Sequence, residues 1–363
     1  MVILLYGFLV AIQMMGGAIK LMGKGASEGL FEGNLNPFAG LAVGVLATVL
    51  VQSSSTTTAT IVSLVGSGAL ALKSAVPMIM GANIGTTVTN TLVSIGHVRR
   101  GQEFQRAFAA ATVHDFFNVL CVALILPLEL ATGVLSSSAQ SLTDMLHGEV
   151  GGGKVDSPIK SAIKSTYKQI LKWLEDGAGL DGTPLAIVVL VLGVALTFFC
   201  LIFITKNMRV LISGRLEAAL NRSLGRSGAI GIIVGALITV SVQSSSITTS
   251  LLVPLCAAGV LTLQNAFPLM LGANIGTTVT AMLASLATDK PEGLTIALVH
   301  LLFNLAGVLL FFPIPAMRRI PIYCANRLAT LAQRNPLWVL AYVVFTFIVL
   351  PLLGWLAFRS VGA

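Results

Sequence analysis

The sequence predicts an all-α polytopic membrane protein built from two inverted-topology repeats. Of its 363 residues, 55% are hydrophobic and 10% are charged, whereas soluble domains carry about 25% charged residues. Two short polar motifs, each set in apolar sequence, occur twice at one spacing, and basic residues are concentrated in alternate loops. These observations exclude the water-soluble classes and indicate a duplicated unit within the bilayer.

Seven apolar stretches are long enough to cross a bilayer, because about 20 residues at 1.5 Å rise span a core of about 30 Å. They are 1–22, 75–97, 104–132, 184–206, 265–287, 292–316 and 337–358. Two further stretches, 37–66 and 228–258, are divided by polar runs into segments too short to span. We predict that each is a re-entrant helical hairpin with its polar run at the tip, because such backbone is tolerated where it lines a cavity.

The two polar runs share a Gln-Ser-Ser-Ser sequence, and Gln243 lies 191 positions after Gln52. Unsatisfied polar groups cost several kcal/mol each in a bilayer, so two equivalent runs indicate a binding site. A helix that starts at each tip offers free N–H groups and a partial positive charge, with Ser55–Thr58 as the expected caps of the first. We therefore predict an anion site from neutral donors: Gln52, Ser53, Ser54, Ser55, Thr56, Gln243, Ser244, Ser245 and Ser246.

The second motif, Gly-Ala-Asn-Ile-Gly-Thr-Thr-Val-Thr, occupies 81–89 and 272–280. Two glycines around an asparagine predict an interrupted transmembrane helix with free carbonyls, although a kink for close helix packing is the alternative. Asp115 is an acid inside a long apolar span, which marks it as a functional candidate. The oxygens of these segments suit a small hard cation, and the predicted sodium ligands are Asn83, Thr86, Thr87, Asp115, Asn118, Asn274, Thr277, Thr278 and Asn304.

Loop charge predicts the orientation of the chain. Segments 99–106, 206–226 and 317–335 carry net charges of +2, +4 and +4, whereas 20–36, 136–183 and 288–292 carry 0, −1 and −1. With the basic loops in the cytoplasm, the first hairpin enters from outside and the second from inside. The expected segments are 1–36 (helix and connector), 37–135 (first repeat), 136–183 (outer loop with an amphipathic helix), 184–227 (span and interfacial helix), 228–316 (second repeat) and 317–363 (cytoplasmic loop and last span).

The paired Gln-Ser-Ser-Ser runs, the paired Asn-Ile-Gly-Thr-Thr segments and Val113–Asn118 resemble the type II sodium-phosphate cotransporters. The resemblance covers 37–135 and 228–316 and implies sodium-coupled import of inorganic phosphate by alternating access, with phosphate between the tips. Asp115 after a histidine is similar to the electrogenic members and implies net charge movement. The resemblance also implies a compact bacterial protein of the inner (plasma) membrane.

Three other roles fit the residues. Neutral donors do not specify their anion, so a sodium symporter for another oxyanion or a small carboxylate is the first alternative. An intramembrane serine hydrolase is a distant one, with His114 or His300 as base, and a channel or structural role is another. We expect phosphate, sodium as the coupling ion and the lipid bilayer as partners, with a second copy of the chain as a candidate partner, and neither a cofactor nor nucleic acid.

Overall fold

The computed structural model describes residues 2–22, 36–86, 88–99, 101–149, 158–223 and 228–358, and every regular element in these ranges is helical. The helices are α1 (Val2–Leu21), α2 (Pro37–Val51), α3 (Ser54–Ser67), α4 (Leu72–Gly85), α5 (Val88–Ile95), α6 (Gln102–Thr132), α7 (Val134–Glu149), α8 (Pro158–Ala178), α9 (Gly182–Ser223), α10 (Gly228–Val242), α11 (Ser245–Ala257), α12 (Leu263–Ser285), α13 (Glu292–Phe311), α14 (Pro315–Arg334), α15 (Leu337–Val344) and α16 (Leu350–Phe358), with a π-helical turn, Phe345–Val349, between the last two.

Five of these helices are long and apolar enough to cross a membrane: α1, α6, α9 as far as Asn207, α12 and α13. They confirm the all-α polytopic class and match five of the seven predicted spans. The predicted span 75–97 is divided, because α4 ends at Gly85 and α5 begins at Val88. The predicted span 337–358 is helical but contains the π-helical turn.

Each segment predicted as a hairpin consists of two helices that meet at its polar run, α2 with α3 and α10 with α11. Their arms have 13 to 15 residues, which at 1.5 Å rise gives about 20 Å, short of a full crossing. The first arm starts at a proline preceded by Asn36, whose Oδ1 accepts a hydrogen bond of 3.0 Å from the N–H of Phe38. This N-cap satisfies one of the N–H groups that the first turn of a helix leaves without a partner.

The first arm of each hairpin packs on the helix that follows the hairpin, and glycines make the contact. A Cβ atom at Gly81 would overlap the carbonyl oxygen of Leu41, and one at Gly272 would overlap that of Ile232. The predicted interruption at 272–276 is wrong, because α12 runs unbroken through it, and in the first repeat α4 includes Gly85. In both repeats the glycines bring two backbones together, as small residues do between membrane helices, and in the first repeat the helix also ends at Gly85.

The two hairpins have their bases at opposite ends of α6. Leu72, which follows the first hairpin, lines a cavity with Glu129 and Leu130 near the C-terminus of α6. Ala257, which ends the second hairpin, accepts a hydrogen bond of 2.9 Å from Nε of Arg106, near the N-terminus of α6. Arg106 and Glu129 are 23 residues apart in α6, so these bases are about 35 Å apart along it.

The connecting segments contain more helix than the sequence predicts. The segment 136–183 contributes most of α7 besides the amphipathic α8, and Glu129 accepts hydrogen bonds of 2.7 and 3.2 Å from the N–H groups of Leu135 and Ser136 in the first turn of α7. The span and interfacial helix expected in 184–227 form one helix, α9, as far as Ser223. The loop expected at 317–335 is α14, which begins with a proline in its first turn and packs on α6.

Ion pairs join three segments of low net charge at one end of the molecule. Asp289, between α12 and α13, pairs with Lys20 at the end of α1 and with Lys164 of α8, the latter at 3.1 Å. The basic segments meet elsewhere, since Nε2 of Gln105 donates a hydrogen bond of 3.0 Å to Thr330 in α14. The three segments of low net charge are therefore neighbours, and so are two of the three basic segments, 99–106 and 317–335.

Candidate functional site

Each hairpin tip reverses the chain at a glutamine followed by a serine. Gln52 and Gln243 have φ values of 55° and 57°, and they are the only described residues other than glycine with positive φ. The serine after each glutamine is extended and caps the second arm. Oγ of Ser53 accepts a hydrogen bond of 3.2 Å from the N–H of Thr56, and Oγ of Ser244 accepts one of 3.4 Å from the N–H of Ile247.

The N-cap therefore differs from the predicted one. Ser55–Thr58 were the expected caps of the second arm, but α3 already contains them, and the cap is Ser53. An N-cap must have extended backbone angles so that its side chain reaches the third residue on, and the glutamine reversal places Ser53 in that conformation. The first N–H groups of α3 and α11 remain at the tips, where the helix dipole is positive.

The tip glutamines are fixed by matching hydrogen bonds in the two repeats. Nε2 of Gln52 donates to the carbonyl of Val49 at 2.5 Å, and its Oε1 accepts from Thr89 at 3.2 Å. Oε1 of Gln243 likewise accepts from Thr280 at 2.9 Å. Each glutamine thus connects its tip by a hydrogen bond to the helical segment that follows its hairpin. Thr89 and Thr280, absent from the predicted site, share the motif spacing of 191 residues and could have been found by it.

The two tips meet at a cavity of about 390 Å³. Oγ of Ser55 lies 3.5 Å from the carbonyl oxygen of Gln243, so the first tip contacts the second directly. Six of the predicted anion-site residues line this cavity, namely Gln52, Ser53, Ser55, Thr56, Gln243 and Ser244. Ser54 and Ser245 are buried and, with Ser246, are not among the lining residues.

The third wall of the cavity comes from α9, which the sequence did not place near the tips. The lining residues there include Phe198, Leu201, Thr205 and Lys206. Lys206 was not predicted as a site residue. It ends a predicted span and starts a basic loop, so its charge was interpreted only as a signal for the cytoplasmic side of the membrane. The cavity wall is therefore polar at the tips and largely apolar along α9.

The predicted sodium ligands fall into groups, of which the best defined is a chain of buried amides between the repeats. Nε2 of His114 and Oδ1 of Asn274 are 2.5 Å apart, and Nδ2 of Asn274 donates to Oδ1 of Asn118 at 2.8 Å. Nδ2 of Asn118 in turn donates to the backbone carbonyl of Asn83 at 2.8 Å. The network joins α4, α6 and α12 in the buried centre of the molecule.

The predicted hydroxyl ligands bond their own helices. Oγ1 of Thr86 donates to the carbonyl of Ala82 at 3.0 Å, and Oγ1 of Thr277 donates to that of Ala273 at 3.0 Å. Thr278 donates to the carbonyl of Ile275 in the same manner. Each hydroxyl oxygen keeps lone pairs that can accept from a donor or contact a cation. Thr87 lies outside the described residues.

The two remaining predicted sodium ligands, Asp115 and Asn304, have hydrogen-bond partners outside this network. Oδ2 of Asp115 accepts a hydrogen bond of 2.7 Å from the hydroxyl of Tyr342 in α15, a contact that sequence reasoning missed. Asn304 donates to the carbonyl of His300 at 2.9 Å, while its Oδ1 has no partner among the described residues although it is buried. A buried amide oxygen without a donor is costly, which fits a position that accepts a cation.

The fold and site define a secondary transporter. Two half-helix tips meet near a buried polar centre, and half-helix ends near the midplane are the typical binding elements of such proteins. The chain belongs to the Na+/Pi-cotransporter family, whose sequence profile matches residues 7–146 and 196–322.

The chain is similar to curated mammalian proteins over nearly its whole length. It is 33% identical to the sheep (Ovis aries) sodium-dependent phosphate transport protein 2A, over 99% of this chain and 68% of that protein. It is also 33% identical to the human (Homo sapiens) sodium-dependent phosphate transport protein 2B, over 99% of this chain and 66% of that protein. The chain thus spans about two thirds of the length of these relatives. No solved structure matches it significantly.

Proposed function

We propose that this protein imports inorganic phosphate across the bacterial inner (plasma) membrane by sodium-coupled alternating access. The observation that carries the proposal is the pair of equivalent tips meeting at one cavity, in a chain of the Na+/Pi-cotransporter family. The relatives are named as sodium-dependent phosphate transport proteins, which suggests sodium as the coupling ion and phosphate as the substrate. The tips carry hydrogen-bond donors suited to an oxyanion.

Phosphate is held at the tips by hydroxyls and helix N-termini. Ser53, Ser55 and Thr56 on one side and Ser244 on the other line the cavity. The first N–H groups of α3 and α11 add donors and a partial positive charge. A hydrogen bond to a charged group is worth about 1.5–3 kcal/mol, so a few of these bonds bind phosphate without an arginine at the tips.

Sodium occupies the oxygen-rich centre around Asn83, Asn118, Asn274 and Asn304, with Asp115 as the anionic group. The buried Oδ1 of Asn304 and the threonine hydroxyls supply neutral oxygens. A carboxylate in a span is less costly when a cation is bound near it. Sodium bound with Asp115 makes the cycle electrogenic, because positive charge enters with each phosphate.

Alternating access follows from the inverted repeats. The hairpin bases lie at opposite ends of α6, which supports entry of the two hairpins from opposite sides of the membrane. Movement of one tip relative to the other exposes the cavity to each side in turn. The glycine contacts between each first arm and the following helix make each arm and helix one rigid unit in this motion.

The test is uptake of radiolabelled phosphate into proteoliposomes. An inward sodium gradient is expected to accelerate uptake steeply, whereas potassium or choline gradients of equal size leave it at the level of protein-free liposomes. Excess unlabelled phosphate competes, and excess sulfate or succinate does not. Uptake that is the same in choline overturns the sodium coupling, and full competition by sulfate or succinate overturns the choice of phosphate.

A further inference from the structure

Lys206 is a basic side chain in the wall of the tip cavity. Among its described lining residues, Lys206 is the only one with a charge. It lies near the end of the apolar part of α9, which extends to Asn207. Its side chain is exposed and forms no ion pair with another described residue. The ammonium group is therefore available to an anion that approaches the cavity.

The position of Lys206 defines the side to which the cavity opens. The helix α9 begins at Gly182, just after α8, whose Lys164 pairs with Asp289 at the end of the molecule predicted to be extracytoplasmic. Lys206 lies 24 residues farther along α9, about 36 Å at 1.5 Å per residue. Lys206 is an exposed residue of the cavity wall, as Gln52 and Ile202 are, and it begins the basic segment 206–226, which loop charge predicts on the cytoplasmic side.

We propose that Lys206 is the anion-contacting residue at the cytoplasmic mouth of the tip cavity. The inference rests on the proposed function and extends it to the release step. Phosphate that leaves the tips toward the cytoplasm passes the Lys206 ammonium, which lowers the free energy of the anion at the mouth. A lysine suits this role because its long stem moves with the anion and its charge is compact and hydrated. Lys206 thereby sets the phosphate affinity on the cytoplasmic side.

The expected effect is moderate because the mouth is solvated. A single charge contact between exposed groups is screened by water and salt. We expect Lys206→Gln to raise the half-saturating phosphate concentration on the cytoplasmic side about three- to tenfold. The half-saturating phosphate concentration on the outer side should change less than twofold. In Lys206→Arg, this concentration should stay close to that of the wild type on both sides.

The experiment measures sodium-dependent phosphate exchange in inside-out and right-side-out membrane vesicles. The matched control is Lys73→Gln, an exposed lysine at the start of α4, beside the C-terminal end of α6. The proposal predicts an effect of Lys206→Gln in inside-out vesicles alone, and the effect should shrink as choline chloride is added. An unchanged cytoplasmic affinity, an equal change on both sides, or the same change in Lys73→Gln overturns it.

Chemical modification of a cysteine at this position separates the effect of the charge from an effect on folding. In Lys206→Cys, a cationic methanethiosulfonate reagent should restore the cytoplasmic affinity, and an anionic one should lower it further in the same folded protein. Equal effects of both reagents overturn the proposal. A wild type that shows no sodium-dependent phosphate exchange overturns the proposed function as well. A wild type that exchanges phosphate, with the same cytoplasmic affinity in Lys206→Gln, overturns this inference alone.

Discussion

The hydroxyl of Tyr342 donates a hydrogen bond of 2.7 Å to Oδ2 of Asp115. This contact links the carboxylate in the middle of α6 to α15, 227 residues later in the chain. The tyrosine ring lies edge-on to Phe108 and Phe347, with centroid distances of 6.3 and 5.9 Å. Phe347 belongs to the π-helical turn, so the irregular part of the C-terminal segment supports the group that holds Asp115. Such turns are frequent at functional sites.

Removal of the Tyr342 hydroxyl should weaken the attachment of the C-terminal segment. Tyr342→Phe keeps the ring contacts and deletes a hydrogen bond to a charged group, which is worth about 1.5–3 kcal/mol. We expect Tyr342→Phe to lower the thermal unfolding temperature. When it is combined with Asp115→Asn, the decrease in unfolding temperature should be smaller than the sum of the two single decreases. The control is Tyr323→Phe, an exposed tyrosine in α14. Additive losses in the double variant would show that the two side chains do not interact.

Asp115 should determine the charge moved per transport cycle. Asp115→Gly removes the anionic sodium partner but leaves the tips and the Asn118–Asn274 bond in place. Moving one charge through the membrane is worth about 2.3 kcal/mol per 100 mV, so wild-type uptake should accelerate at negative interior potential. The variant should retain sodium-dependent uptake and lose this acceleration in proteoliposomes clamped with potassium and valinomycin. Equal voltage sensitivity in both proteins would contradict the role of Asp115.

The hairpin bases should be accessible from opposite sides of the membrane. Lys73 follows the first hairpin, and Val260, which is 57% exposed, follows the second. In intact cells, an impermeant thiol reagent should label Lys73→Cys, whereas Val260→Cys should react only in inside-out vesicles. Labelling of both cysteines from the same side would exclude the inverted arrangement of the repeats.

The Asp289 cluster should stabilise the protein in a pH-dependent manner. Burial raises the pKa of the Asp289 carboxyl, but hydrogen bonds and charges of Lys20 and Lys164 lower it, and the net shift is downward. A folded-state pKa below the unfolded value of about 4 gives stability that is present above pH 4 and is lost as the pH falls through the folded pKa. Asp289→Asn should therefore lower the unfolding temperature at pH 7, with a smaller difference near pH 3. A difference that grows toward pH 3 would contradict this account.

The sequence was most informative where polar residues interrupt apolar ones. The runs at Gln52 and Gln243 predicted both hairpins and the location of both tips, because a polar group within a bilayer requires a partner or a cavity. The glycines at 81–85 and 272–276 were ambiguous, since glycine permits both an unwound helix and close backbone packing. The structure shows the close packing in both repeats, whereas a helix break after the glycines is present only in the first, where α4 ends at Gly85.

Sequence patterns did not predict the long-range contacts. Nothing local distinguishes Tyr342 from other aromatic residues in an apolar helix, and its contact with Asp115 depends on how the C-terminal segment packs. Lys206 likewise follows the positive-inside pattern whether or not it lines a cavity. The amide chain from His114 to Asn83 joins three helices, and the sequence indicated its three asparagines but neither their order nor the contact with His114.

In the proposed mechanism, phosphate binds between the tips. Equilibrium binding of radiolabelled phosphate to the purified protein tests it directly, with and without sodium. Sodium should be required, and Ser55→Ala should weaken binding about 10- to 150-fold, the equivalent of one charge-assisted hydrogen bond. Ser67→Ala, at the base of the same hairpin, should bind like wild type. A folded Ser55→Ala protein that binds phosphate as tightly as wild type, or binding independent of sodium, would contradict the account.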